Sequence, residues 1–115
     1  MKLKKVKDVK HEEVSAYGSI GTSIQWLWGK EDGVPHFALR RFKIAPNGKI
    51  GLHNHPEEHE IFILEGEGVV FNESGYEIQV MSEDVLYVPA EEPHGYRNTS
   101  ETDLIFLCII PILPK

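Results

Sequence analysis

The stretch "HNHPEEHEIFIL", residues 53–64, sets His53, His55 and His59 within seven positions and then runs into apolar chain. Half of the protein's six histidines are here. Imidazole is the commonest metal ligand among side chains, and it binds as the neutral base. In extended chain the side chains alternate faces with period two, so His53 and His55 project to one side. "PEE" makes a short excursion, and a turn there brings His59 to the same point. A solvated polar loop would have no reason to border "IFIL". The H-x-H-x3-H spacing therefore predicts a metal site.

The elements that must hold these side chains read as strands. "SIQWLWG" (23–29) alternates Ile24, Trp26 and Trp28 against Ser23, Gln25 and Leu27. "FALRRFKIAP" (37–46) is rich in strand formers and is expected to stop at Pro46. Apolar runs at 61–64 and 69–71 flank Gly66, and "NESG" (72–75) has hairpin-turn chemistry before "YEIQV". "DVLYVP" (84–89) and "DLIFLCIIP" (103–111) complete a set of roughly eight to ten short strands with no helical periodicity. Such a set predicts an antiparallel all-β sandwich or barrel. The first 15 residues accommodate a strand and a helical turn.

The chain has 115 residues, 41% apolar and 26% charged, which suits one domain, residues 1–115, with a real core. A net charge of −6 argues against nucleic acid as a partner. "LIFLCII" (104–110) is far shorter than the ~20 apolar residues a membrane-spanning helix needs. The single cysteine, Cys108, excludes an intrachain disulfide. With no secretory signal pattern in "MKLKKVKDVKHEE", a cytoplasmic location is expected.

A second segment, "VPAEEPHGYRN", carries His94 after a proline-bounded turn, with His94, Tyr96 and Asn98 on one face if extended. Together the two segments resemble the paired motifs of the cupins, small jelly-roll β-barrels. The family patterns are G-x5-H-x-H-x3,4-E-x6-G and G-x5-P-x-G-x2-H-x3-N. Here they read "NGKIGLHNHPEEHEIFILEG", ending at Gly66, and "EDVLYVPAEEPHGYRN", from Glu83 to Asn98, and the resemblance covers residues 37–110. Asn47, Glu83 and Glu91 stand where the family has glycines, whereas Pro89, His94 and Asn98 match. Counting six residues back from Gly66 puts His59 at the acidic-ligand position, while the H-x-H-x4-E spacing would select Glu60. Strand register favours His59, because a one-residue slip turns every side chain over.

The resemblance implies a divalent transition ion on His53, His55, His59 and His94, with two adjacent open positions. Manganese or iron comes first by resemblance, then nickel, copper or zinc. Four neutral imidazoles leave the ion's charge uncompensated. They make it a stronger Lewis acid that draws anionic oxygen ligands and resists oxidation to the trivalent state. Arg40, Tyr96, Phe106, Cys108 and Trp26 are the expected pocket residues. An inward Arg40 could bind a carboxylate. The leading expectation is a metal-dependent, oxygenase-like oxidoreductase acting on a small organic molecule. The alternatives are a redox-neutral isomerase or decarboxylase, or a non-enzymatic ligand-binding or sensor module. The remaining expectations are a small-molecule ligand, no membrane partner and a homodimer, in which "KLKKVKDV" could extend a neighbour's sheet.

Overall fold

The long segment from Phe37 to His53 organises the molecule. The computed structural model describes residues 1–114. It contains β1 (Glu12–Val14), β2 (Ile20–Trp28), β3 (Phe37–His53), β4 (His59–Glu65), β5 (Glu67–Asn72), β6 (Glu77–Met81), β7 (Val85–Val88), β8 (His94–Asn98) and β9 (Leu104–Pro111). The helical content of the described residues is three short 3-10 turns, at Val6–Asp8, Ala16–Gly18 and Lys30–Asp32. No helix among the described residues is long and apolar enough to cross a membrane. The strands pair antiparallel in the order β6-β5-β8-β3-β9-β4-β7, with β2 also on β3 and β1 on β2. The sheet curls into a jelly-roll barrel, the all-β architecture expected.

β3 is the hub because its two halves serve different partners. Residues 37–44 pair with β9, while Lys49, Ile50 and His53 pair with β8. The expected stop at Pro46 is corrected here, since the strand continues to His53. Pairing with β2 jumps from Ile44↔Thr22 to Lys49↔Ile20, so residues 45–48 form a bulge at a barrel corner. A proline in a bulge has no ladder bond to lose. Asn47 at φ 67° makes the turn the bulge needs.

Alternation fills the interior. Ile44, Ile61, Ile63, Leu104, Phe106 and Cys108 are each 2% exposed or less. Each such large apolar side chain contributes about 1.5–3 kcal/mol through burial. In β2, Gln25 and Trp26 keep the expected facing, opposite Arg41 and Arg40, but not the expected burial: Trp26 is 41% exposed and Gln25 is 1% exposed. A register shift after Trp26 places Trp28 opposite Leu39, so the alternation breaks there. The N-terminal segment then lies over Gln25, whose Nε2 donates to the Val6 and Val9 carbonyls at 2.9 Å. The segment expected to extend a neighbour's sheet is thus used within its own chain.

Turns close the register. At Gly66, φ 83°, a Cβ would meet the Asp103 carbonyl oxygen at 2.3 Å, which accounts for glycine at the end of the first motif. Buried Asn98 ties the second motif together: its Nδ2 donates to the Ile44 and Thr102 carbonyls at 2.8 Å. Glu83 and Glu91 take φ 74° and 66°, the left-handed conformation that glycine occupies without strain. We expect Glu83→Gly, at an exposed turn, to stabilise the fold by about 0.5–1 kcal/mol. This is the left-handed strain relieved, less the added freedom of the unfolded chain. A urea titration whose midpoint fails to rise would contradict that account.

Candidate metal centre

Four imidazoles gather at one end of the barrel because the strand ends meet there. His53 closes β3, His94 opens β8, and register sets them opposite one another. His59 opens β4, opposite Val88 at the end of β7. His55 lies in the intervening loop, where its carbonyl accepts the Glu91 N–H at 2.9 Å. That bond anchors the loop to the β7–β8 turn. His53, His55 and His94 each offer a ring nitrogen within 4.8 Å of the others. His59 Nε2 is 2.6 Å from His55 Nε2, and the His59 ring centroid is 5.0 Å from that of His94. His59 is buried and faces inward, whereas Glu60 is exposed on the outer face.

Hydrogen bonds aim two of the rings by the same device. His53 Nδ1 donates to the Gly51 carbonyl at 2.8 Å, and His94 Nδ1 donates to the Glu92 carbonyl at 2.8 Å. In each case the acceptor lies two residues earlier in the chain. A carbonyl only accepts, so the proton is fixed on Nδ1 and the Nε2 lone pair is free. His94 Nε2 is buried without a partner. Glu57 lies 3.5 Å from His55 Nδ1, too far for a hydrogen bond, and that nitrogen is also unpartnered.

The surroundings favour the neutral form of His53, His59 and His94. Burial, reinforced by the Arg40 charge and the other imidazoles, lowers His59 to about 2. Burial outweighs the Glu92 bond and lowers His94 to about 4, and it lowers His53 as well. Converging imidazole nitrogens, with His94 Nε2 buried and unpartnered and the His55 and His59 Nε2 atoms facing each other, suit a metal ion, so the donor set fits the group the sequence implies.

The expected pocket residues fall into two groups. Tyr96 and Phe106 are buried below the histidines: His94 meets Tyr96 edge-on (centroids 5.5 Å), and Tyr96, Phe106 and Phe42 stack in turn at 5.2 Å each. Burial raises the Tyr96 hydroxyl well above its usual value. Arg40 and Cys108 face each other across β3 and β9, and Arg40 Nη2 donates to Cys108 Sγ at 3.0 Å. Both touch His59 on its Nδ1 edge, away from the shared Nε2 edges. Burial raises the Cys108 thiol, against the pull of Arg40. Trp26 lies over the Arg40 guanidinium, 5.5 Å from ring centroid to Cζ.

Spacing did not reveal Tyr17. Its ring stacks on His53 at 4.5 Å and 11°. A Cβ on Gly51 would lie 1.9 Å from the Tyr17 carbonyl oxygen, so glycine there lets the Tyr17 turn close over His53. Nothing in "SAYGS" signals this, because the contact exists only after β3 has bent.

The Cupin domain sequence profile matches residues 40–110. An oxalate-binding protein of Thermotoga maritima is 42% identical over 74 residues, which are 64% of this chain and 60% of that protein. The alignment thus spans less than two thirds of that relative. Among solved structures, the polyketide cyclase RemF of Streptomyces resistomycificus superposes with a TM-score of 0.89 at 33% identity. That match covers 96% of this chain and 79% of the other. A predicted oxalate decarboxylase of Thermotoga maritima superposes with a TM-score of 0.85 at 30% identity, covering 97% of this chain and all of the other. A profile match over most of the chain, on a barrel whose motif histidines meet at one mouth, means that the chain belongs to the cupin family.

Proposed function

We propose that the protein is a metal-dependent cupin whose ligand is a small chelating oxygen anion of the oxalate class. His53, His55, His59 and His94 would hold one divalent transition ion, manganese or iron first. Donor type alone does not name the natural metal. The ion supplies Lewis-acid attraction for a pair of oxygens. The observation that carries this reading is the charge of the cluster. His53, His59 and His94 are held toward the neutral form, Arg40 adds a positive charge, and the Glu57 carboxylate sits 3.5 Å from His55 at the rim. A divalent ion there leaves a net positive interior, and a dianion with two adjacent oxygens neutralises it best.

This charge also bears on the reaction class. Oxidation of the ion would add charge that no buried carboxylate offsets, which weighs against the oxygenase expectation. Redox-neutral decarboxylation, or binding alone, suits the site better, and both agree with the names of the Thermotoga maritima relatives. A second reading rests on the stacked Phe42, Tyr96 and Phe106 beneath the rings and on the likeness to a polyketide cyclase. It places the same chelating oxygen pair on a larger apolar body.

Calorimetry on manganese-loaded protein tests the proposal. Oxalate should bind at least tenfold more tightly than acetate, and binding should vanish after chelator treatment. His94→Ala removes a proposed ligand and should lower metal affinity by more than the about 10–100-fold typical of losing a ligand's supporting group. Oxalate binding that is indifferent to the metal would refute the reading. Tighter binding of an aromatic β-diketone than of oxalate would favour the cyclase-like alternative. Release of carbon dioxide and formate from oxalate would distinguish catalysis from binding.

The chelator-treated protein should lose stability as pH falls below about 6.5, the ordinary histidine value. Below that value the unfolded chain takes up protons that folded His94, at about 4, and His59, at about 2, refuse. Stability rises with pH wherever the unfolded state binds more protons, so the contribution is complete above 6.5 and fades on acidification. Urea midpoints at about pH 8, 6 and 5 should decline in that order, and His59→Leu should flatten the trend. A flat wild-type profile would contradict buried neutral rings.

A further inference from the structure

His53 and His94 each have a carbonyl behind the ring, and His59 has none. Its Nδ1 lies 2.8 Å from Cys108 Sγ and 3.3 Å from Arg40 Nη2. Arg40 Nη2 also lies 3.0 Å from the same sulfur. A guanidinium only donates, whereas a thiol sulfur can accept. Two arrangements follow. In the first, the sulfur accepts from both Arg40 and His59 Nδ1–H, and the His59 Nε2 lone pair is free. In the second, Nδ1 accepts, from Arg40 or from the thiol S–H, the ring proton sits on Nε2, and His59 donates to His55 Nε2, 2.6 Å away. In that state His59 cannot be a ligand.

We infer that Cys108 is the positioning residue that selects the first arrangement, by drawing the Arg40 donor onto its sulfur and accepting the His59 Nδ1 proton. The distances favour it. The sulfur is closer to Nδ1 than Arg40 is, and Arg40 is closer to the sulfur than to the ring. Three neighbouring strands fix the trio: Arg40 is opposite Cys108 across β3 and β9, and Cys108 is opposite Ile61, two residues beyond His59 on β4. Arg40 Nε is buried without a partner, so the guanidinium is held by this contact and by the Trp26 and Phe42 rings. The inference rests on the metal reading above.

Long-range nitrogen–proton NMR on zinc-loaded protein reads each histidine tautomer directly. His59 should carry its proton on Nδ1 in the wild type. Cys108→Ala leaves Arg40 as the only partner of Nδ1. The proton should move to Nε2, and zinc affinity should fall about 10–100-fold. Cys108→Ser keeps an acceptor and should retain both the tautomer and most of the affinity. Arg40→Met added to Cys108→Ala removes the competing donor and should recover part of the loss. If Cys108→Ala keeps Nδ1–H and wild-type affinity, the inference fails while the donor set stands. A wild-type His59 protonated on Nε2 with zinc bound defeats both.

Discussion

Buried imidazole edges that face one another are the main constraint on the histidine end of this barrel. An unsatisfied buried polar group costs about 1–3 kcal/mol. His94 Nε2 and His55 Nδ1 are such groups, and His55 and His59 bring two ring nitrogens to 2.6 Å. Left to itself, this end of the molecule would open and hydrate. It stays closed because covalently distant parts are locked around it: the Glu91 N–H on the His55 carbonyl, Tyr17 stacked on His53, and carbonyls behind His53 and His94. The aliphatic interior beneath supplies the burial that offsets the strain. An ion that accepts four lone pairs would turn this unfavourable crowding into binding energy, which is why metal and fold are expected to be thermodynamically linked.

One strand delivers most of this. β3 changes partners at its Pro46–Gly48 bulge, from β9 to β8, and so carries the chain from the apolar body of the barrel to the histidine mouth. Its first half places Arg40 and Phe42 inside, and its end places His53. Asn98 then ties the end of β8 to the Ile44 carbonyl just before the bulge, which keeps His94 in register with His53. Tolerance of left-handed glutamates at 83 and 91 has the same origin. Each turn is over-determined by bonds on both sides, Glu83 N–H to Ile63 and Glu91 N–H to His55, so moderate backbone strain persists.

Local rules made much of this legible. Period-two alternation placed the strands, and Asn, Gly and Pro placed the turns. A one-residue register argument set His59 inward and Glu60 outward, as the burial of the two residues has it. The sequence was opaque wherever a tertiary neighbour overrode the local pattern. Gln25, opposite outward Arg41, is buried because the N-terminal segment supplies two carbonyls, and Trp26, opposite inward Arg40, is 41% exposed beside the guanidinium. Pro46 reads as a stop only if the strand needs its N–H, and in a bulge it does not. Tyr17, and the backbone carbonyls of Gly51 and Glu92, carry no side-chain signature that spacing could reveal.

Arg40 and Arg41 show how far two adjacent, chemically identical residues can diverge. The pleat sends Arg41 outward, where it donates to Gln25 at 2.9 Å, and Arg40 inward, beside four rings and a thiol. Inside, its charge has no carboxylate partner among the described residues, and its field is felt by His53, His59 and His94, each of which it makes harder to protonate. A cation so placed helps keep the imidazoles in the form that binds metals. It also opposes the arrival of a second cation unless an anion accompanies it. The interior is therefore biased toward ion and anion as a pair, and the small oxygen dianion would be as much a structural counter-charge as a ligand.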